Sequence, residues 1–188
     1  MHAIPLARRG FKVVAMDTCD LLLEDLEKRR GSLPIRTVHA NLRDFRADIA
    51  APLDLIVCMG DTLTHLPSRT AVDSLIADAA ASLNRGGVFM ATFRDYVSAP
   101  LEGDARFILV RSDEQRILTC CLEYADTTVM VHDLLHQREG GSWRLHVGSY
   151  QKLRLSPAWV VDRLSALSLT VSCAQAAGGM IRIIAVKP

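Results

Sequence analysis

The sequence predicts an α/β fold: a mostly parallel sheet with helices between its strands, and an antiparallel β insertion in its second half. Three observations carry this. Residues 11–96 alternate short apolar runs with segments of helical period, the pattern of βαβ units. "LDLIVCM" (53–59) is apolar almost throughout, which suits a strand buried on both faces of a parallel sheet. After Tyr96 four strand-like segments follow with no helix between them, so they are expected to pair antiparallel.

The 188 residues are 49% apolar with a formal net charge of +1, as expected of one ordinary globular domain spanning 1–188. Residues 97–153 are expected to form an antiparallel cap within it. The near-neutral balance supplies no electrostatic footprint for nucleic acid. Arg8-Arg9 and Lys28-Arg29-Arg30 fall at helix C-termini, where they complement the helix dipole. No apolar run approaches the ~20 residues of a membrane span, and the opening lacks a signal-peptide pattern. The cysteines Cys19, Cys58, Cys120, Cys121 and Cys173 form no CxxC pair, and read as small buried hydrophobes of a reducing cytoplasm.

In order, residues 3–9 form a helix stopped by Gly10. A short apolar strand over 12–16 ends at Asp17. Thr18 is expected to cap the next helix, with Asp20 in its first turn. Leu22 and Leu26 share a face of that helix, and Glu24–Lys28 and Asp25–Arg29 are supporting pairs. Gly31 and Pro34 end it. A second strand covers 36–40, followed by "NLRDF". After the strand at 53–59, "GDTLTHLPSRT" is a turn-rich loop. A helix over 70–83 stops at "NRGG", and a strand over 88–93 runs into "RDY". Segments 106–111, 116–124, 128–137 and 143–153 are the insertion strands, with Gly140-Gly141 as a hairpin turn. Ser156 and Pro157 open a helix to about Leu167. Strands over 169–174 and 180–186 close the chain around Gly178-Gly179.

The pieces "GFKVVAMD", "HANLRDF", "DLIVCMGDTLTHL", "LNRGGVFMATFRDY" and the closing helix with its strand pair resemble, in order and spacing, the class I S-adenosylmethionine (SAM)-dependent methyltransferases. "CMGDTLTHL" and "GGVFMATFRDY" look most like the small-molecule members of the glycine N-methyltransferase kind. The resemblance implies a Rossmann-like sheet and SAM as cofactor. It implies a small-molecule methyl acceptor, an amine bearing a carboxylate. In that family a first strand and a glycine-rich loop cradling the methionyl part of SAM precede such an opening helix. The expectation is that this segment stands upstream of Met1 in a longer form of the chain. Without it, two buried strand edges would carry unpaired groups at roughly 1–3 kcal/mol each, against a net stability of about 5–15 kcal/mol.

The resemblance also distributes roles. Asp17, at a strand's carboxyl end, suits the ribose hydroxyls; its structural alternative is to cap the following helix. Asn41 and Leu42 match the adenine site, although the family more often has an acid at Asn41, which is otherwise a turn residue. Met59, Gly60 and Thr62 match the site of the SAM ammonium and sulfonium. Asp61 and His65 are the candidate catalytic pair, His65 as a general base, with a helix cap and a surface histidine as the plainer readings. Arg94, Tyr96 and Tyr150 are the candidate acceptor-binding residues, a guanidinium fork suiting a carboxylate. His132 and His136 have zinc-like spacing, but their surroundings read as a strand, so no metal is expected. Exposed antiparallel edges of the insertion offer a route to a homodimer. Two other readings are open: a non-catalytic methyltransferase-fold module for binding or assembly, and a nicotinamide-dependent enzyme.

Overall fold

The computed structural model describes residues 2–49, 52–176 and 179–188; Met1 and Gly178, which figure in the expectations above, lie outside them. Helix α1 (Ala3–Arg8) leads into β1 (Val13–Asp17), α2 (Asp20–Arg30) and β2 (Ile35–His39). β1 and β2 pair in parallel, Val13 opposite Ile35 and Asp17 opposite His39. A 3-10 turn at Leu42–Asp44 and the one-turn α3 (Phe45–Asp48) follow.

β3 (Leu53–Cys58), a 3-10 turn at Thr62–His65, α4 (Arg69–Ser82) and β4 (Leu83–Arg94) come next, with β3 parallel to β4. The antiparallel insertion is β5 (Phe107–Ser112), β6 (Arg116–Tyr124), β7 (Thr128–Glu139) and β8 (Ser142–Leu153). Gly140 and Gly141, at φ 57° and 86°, make the two-residue turn between Glu139 and Ser142. α5 (Pro157–Ala166), β9 (Thr170–Ala176) and β10 (Met180–Val186) close the chain.

The described strands form three sheets, ordered β1-β2, β3-β4-β10-β9 and β5-β6-β7-β8. The parallel βαβ half is as expected; β10 is antiparallel to both β4 and β9. Among the described residues no strand pairs with the free edges of β1 and β3, so the sheet is split there.

One core unites α4, α5 and the four-stranded sheet, with Leu63, Ile76, Phe89, Phe93, Leu155 and Ile183 fully buried. Phe45 belongs to it, and Met16 and Leu42 pack against it. A second, smaller core of Tyr96, Leu122, Val129 and Val131 lies under the insertion.

Several local expectations are corrected. The α2 N-cap is Cys19, not Thr18, and its amide is held by Asp17 Oδ1 at 2.9 Å. The buried leucine of α2 is Leu23, while Leu22 is 60% exposed. "NRGG" is not a simple stop: β4 begins at Leu83, opposite Leu53, and the register shifts before Leu55 pairs with Val88. A Cβ on Gly87 would sit 2.8 Å from Asn84 O and 3.0 Å from Leu53 O, so the strands approach there too closely for any side chain. Cys173 is exposed, whereas Cys58 and Cys120 pack against the main and the second core, so the expectation of buried cysteines holds only in part. Among the described residues no helix is long and apolar enough to cross a membrane.

Candidate functional site

The segment after β3 turns sharply because Gly60 and Asp61 both take left-handed backbone conformations, each at φ 74°. For Gly60 this is cheap; for Asp61 it is uncommon and has to be held by its neighbours. β4 supplies that hold. Thr92 accepts the Gly60 amide on Oγ1 at 2.9 Å and the Asp61 amide on its carbonyl at 3.0 Å. Thr64 returns two bonds to the Asp61 carbonyl, from its amide at 3.1 Å and its hydroxyl at 2.7 Å. The turn thereby drives the Asp61 side chain inward, where only 5% of the residue stays exposed.

Three donors meet that carboxylate. Arg94 N donates to Oδ1 at 2.9 Å, and Tyr96 OH and Lys152 Nζ donate to Oδ2 at 3.1 and 2.6 Å. Lys152 is itself buried on β8, and its ammonium also stands 5.9 and 5.5 Å from the ring centroids of Tyr96 and Tyr150. Burial and the Asp61 charge both push the Tyr96 phenol far above its ordinary range, so it stays protonated and donates. Removing one partner of such a buried pair leaves an uncompensated charge at a cost of roughly 3–5 kcal/mol, so the pair clamps the insertion to the rim. Arg154 adds to the clamp, donating from Nε to the Tyr96 carbonyl at 2.9 Å.

The insertion contributes a second polar group. The pairing of β6, β7 and β8 aligns Cys120, Asp133 and Gly148 in one cross-strand row, on the same face as Tyr150 and Lys152. Cys120 Sγ donates to Asp133 Oδ1 at 2.8 Å. Burial, then Asp133, pushes the Cys120 thiol up to about 11 and the Tyr150 phenol up to about 12. The Arg94 cation is close enough to oppose both the Tyr96 and the Cys120 shifts. His65 faces Tyr150 with ring centroids 5.4 Å apart. Partial burial, then the Lys152 cation, lowers its pKa against the pull of Asp61.

The structure therefore brings Asp61, His65, Arg94, Tyr96 and Tyr150 into one cluster. Lys152 and Asp133 join it, and the sequence reading missed both. A signal existed: Lys152 stands two residues from Tyr150 on a strand, hence on the same face. The carbonyl of Met59 accepts the Thr62 hydroxyl at 2.7 Å, closing the same turn.

Asp17, Asn41 and Leu42 belong to the β1–β2 unit, Asp17 at a strand's carboxyl end and the other two just beyond one. Asn41 Oδ1 accepts the Arg43 amide at 3.0 Å, capping the 3-10 turn that Leu42 begins. Asp17 uses Oδ1 for the Cys19 amide, while Oδ2 has no protein donor among the described residues. Open surface depressions along β1, α2 and β2 include none of the Asp61 cluster. Among the described residues no three His, Cys, Asp or Glu side chains gather as metal ligands.

No family model matches the sequence. Over 98 residues, 50% of this chain and 36% of the relative, it is 32% identical to a glycine/sarcosine N-methyltransferase from Halorhodospira halochloris. Over 97 residues, 50% of this chain and 37% of the relative, it is 29% identical to a protein of the same name from Aphanothece halophytica. The matched stretch thus spans little more than a third of these relatives' length. Among solved structures, the CcbJ methyltransferase from Streptomyces caelestis superposes with a TM-score of 0.79 at 17% identity, covering 99% of this chain and 79% of that one. SAM-bound CalS10, an amino pentose methyltransferase from Micromonospora echinaspora, gives 0.77 at 12% identity, covering 93% and 73%. The fold is that of the class I SAM-dependent methyltransferases, and the family resemblance carried by the motifs stands.

Proposed function

We propose that the chain carries the acceptor side and part of the cofactor side of a SAM-dependent methyltransferase, acting in the cytoplasm on a small amine that bears a carboxylate. The observation that supports this best is the buried, phenol-lined polar cluster around Asp61, held under the insertion beside the carboxyl end of β3. The names of the sequence relatives agree: glycine and sarcosine are small amines with a carboxylate.

The residues present fit the cofactor. Asp17 has a carboxylate oxygen to offer a ribose hydroxyl. Gly60 has open space where a side chain would begin, so backbone can approach a ligand there. Asp17, Asn41, Leu42, Met59, Gly60 and Thr62 would hold it. Bound SAM supplies an electrophilic methyl group on a good leaving group. The chain's part is then alignment, which is worth ~7–11 kcal/mol when nucleophile and electrophile are held in line. Arg94 presents a cation for the acceptor carboxylate, Lys152 is held on Asp61 behind it, and Tyr96 and Tyr150 wall the acceptor site. Asp61 is a positioning residue, since its oxygens already take three donors. His65, kept neutral by its lowered pKa, takes the amine's proton at its ring nitrogen.

Isothermal titration with S-adenosylhomocysteine tests the reading, with Asp17→Asn as the paired variant because Asn keeps an acceptor for the Cys19 amide. Measurable binding, weakened roughly 10–100-fold in Asp17→Asn, is expected from the loss of charge-assisted bonds. Neither heat nor thermal shift with this ligand or SAM would remove the proposal.

A further inference from the structure

The row Cys120–Asp133–Gly148 on the inner face of the insertion has no role in the function proposed above. Asp133 accepts the Cys120 thiol on Oδ1 at 2.8 Å and a hydrogen bond from the Tyr150 phenol. Both donors are neutral. On the same face Lys152 is paired with Asp61 at 2.6 Å and His146 with Glu139 at 3.5 Å, and among the described residues Asp133 has no ion pair of its own. A half-buried carboxylate that meets only neutral donors keeps its charge uncompensated, so it favours a cationic ligand.

The surroundings say which kind of cation. Gly148, directly opposite Asp133 on β8, is exposed, and a Cβ there would meet nothing within 4 Å. Space is therefore open beside the carboxylate. Tyr150, which donates to Asp133, also faces His65 with ring centroids 5.4 Å apart. Arg94 acts through space on the Cys120 thiol that Asp133 holds. A carboxylate, a guanidinium and an imidazole are thus gathered around Cys120 and Tyr150.

We propose that Asp133 is the counter-ion of the acceptor's ammonium group, and that Gly148 leaves room for the alkyl groups on that nitrogen. This rests on the function proposed above and deepens it: the ligand is a zwitterion, its carboxylate on Arg94 and its nitrogen on Asp133. The nitrogen then lies beside His65. When the His65 ring takes one proton, a primary or secondary amine keeps an N–H on Asp133 and frees its lone pair for the methyl group.

Isothermal titration of the chain saturated with S-adenosylhomocysteine, using sarcosine and methoxyacetate, tests it. Methoxyacetate keeps the carboxylate and the shape but has an ether oxygen where sarcosine has its ammonium. The parent should bind sarcosine roughly 10–100-fold tighter, the range of one charge-assisted bond. Asp133→Asn keeps an acceptor oxygen for Cys120, so it should lose this preference and still bind methoxyacetate as the parent does. Gly148→Val suits a strand and should weaken N,N-dimethylglycine about tenfold more than glycine. Equal effects on those two overturn the role of Gly148. A parent that does not distinguish sarcosine from methoxyacetate, or a preference that survives Asp133→Asn, overturns the role of Asp133 while S-adenosylhomocysteine binding leaves the proposed function standing. Where S-adenosylhomocysteine gives no heat, the proposed function falls, and the same comparison on the chain alone decides for Asp133.

Discussion

At the scale of single residues, the decisive feature is a left-handed aspartate. Asp61 takes an unusual φ because Thr92 accepts the Gly60 and Asp61 amides and Thr64 donates twice to the Asp61 carbonyl, and the Asp61 carboxylate then meets Arg94, Tyr96 and Lys152. The sequence motif marked Asp61 but not its partners. Lys152 is 91 positions away, and no local pattern joins the two. His65 shows how the cluster acts on a neighbour. Its folded pKa lies below the usual ~6.5, so between those two values the unfolded chain binds more protons and stability rises with pH. The contribution is complete above about 6.5 and is lost as pH falls through the folded value. Because His65 is largely exposed, solvent screening keeps the effect to a fraction of that of full burial. Urea midpoints measured from pH 7 down to pH 5 should therefore fall further for the parent than for His65→Phe, which keeps the stack on Tyr150. Equal losses would show that His65 does not feel the cluster.

At the scale of elements, capping separates what local sequence specifies from what it leaves open. Ser68 accepts the Ala71 amide at 3.1 Å at the start of α4, and Ser156 accepts the Trp159 amide at 3.5 Å at the start of α5. The second was legible because Ser-Pro is a strong start signal. Thr18 looked equally good and was wrong: Asp17, from the strand before it, reached the Cys19 amide first. Ser68→Ala should cost about 1 kcal/mol in chemical denaturation, while Thr18→Ala should stay within about 0.5 kcal/mol. A larger loss at Thr18 would place the cap where the sequence alone put it. The hairpin at Gly140-Gly141 was legible for the opposite reason, since few residues other than glycine accept two successive positive φ angles.

At the scale of the molecule, the described strands divide unequally. β4 and β10 are paired on both sides and lie over the main core, whereas β1 and β2 have only each other. A lone strand pair is marginal by itself. Here it is tied on through Phe45 and Met16 in the core and by the Arg46–Asp78 ion pair at 2.9 Å. Amide hydrogen exchange should accordingly be slowest in β4 and β10 and orders of magnitude faster in β1 and β2. Uniform protection across all four strands would mean that the two units unfold together.

What the sequence by itself determined is the alternation of strands and helices, the antiparallel insertion and the residues of the turn after β3. Each depends on periodicity or on backbone preferences within a few positions. What only the tertiary structure decided is which distant side chains share a low-dielectric space. Lys152 and Asp133 joined the cluster, while Phe107, Leu109, Trp143, Leu145 and Val147 of the insertion were left about half exposed. Both follow from strand register, which hairpin turns and packing set together and which inverts every side chain when it slips by one residue.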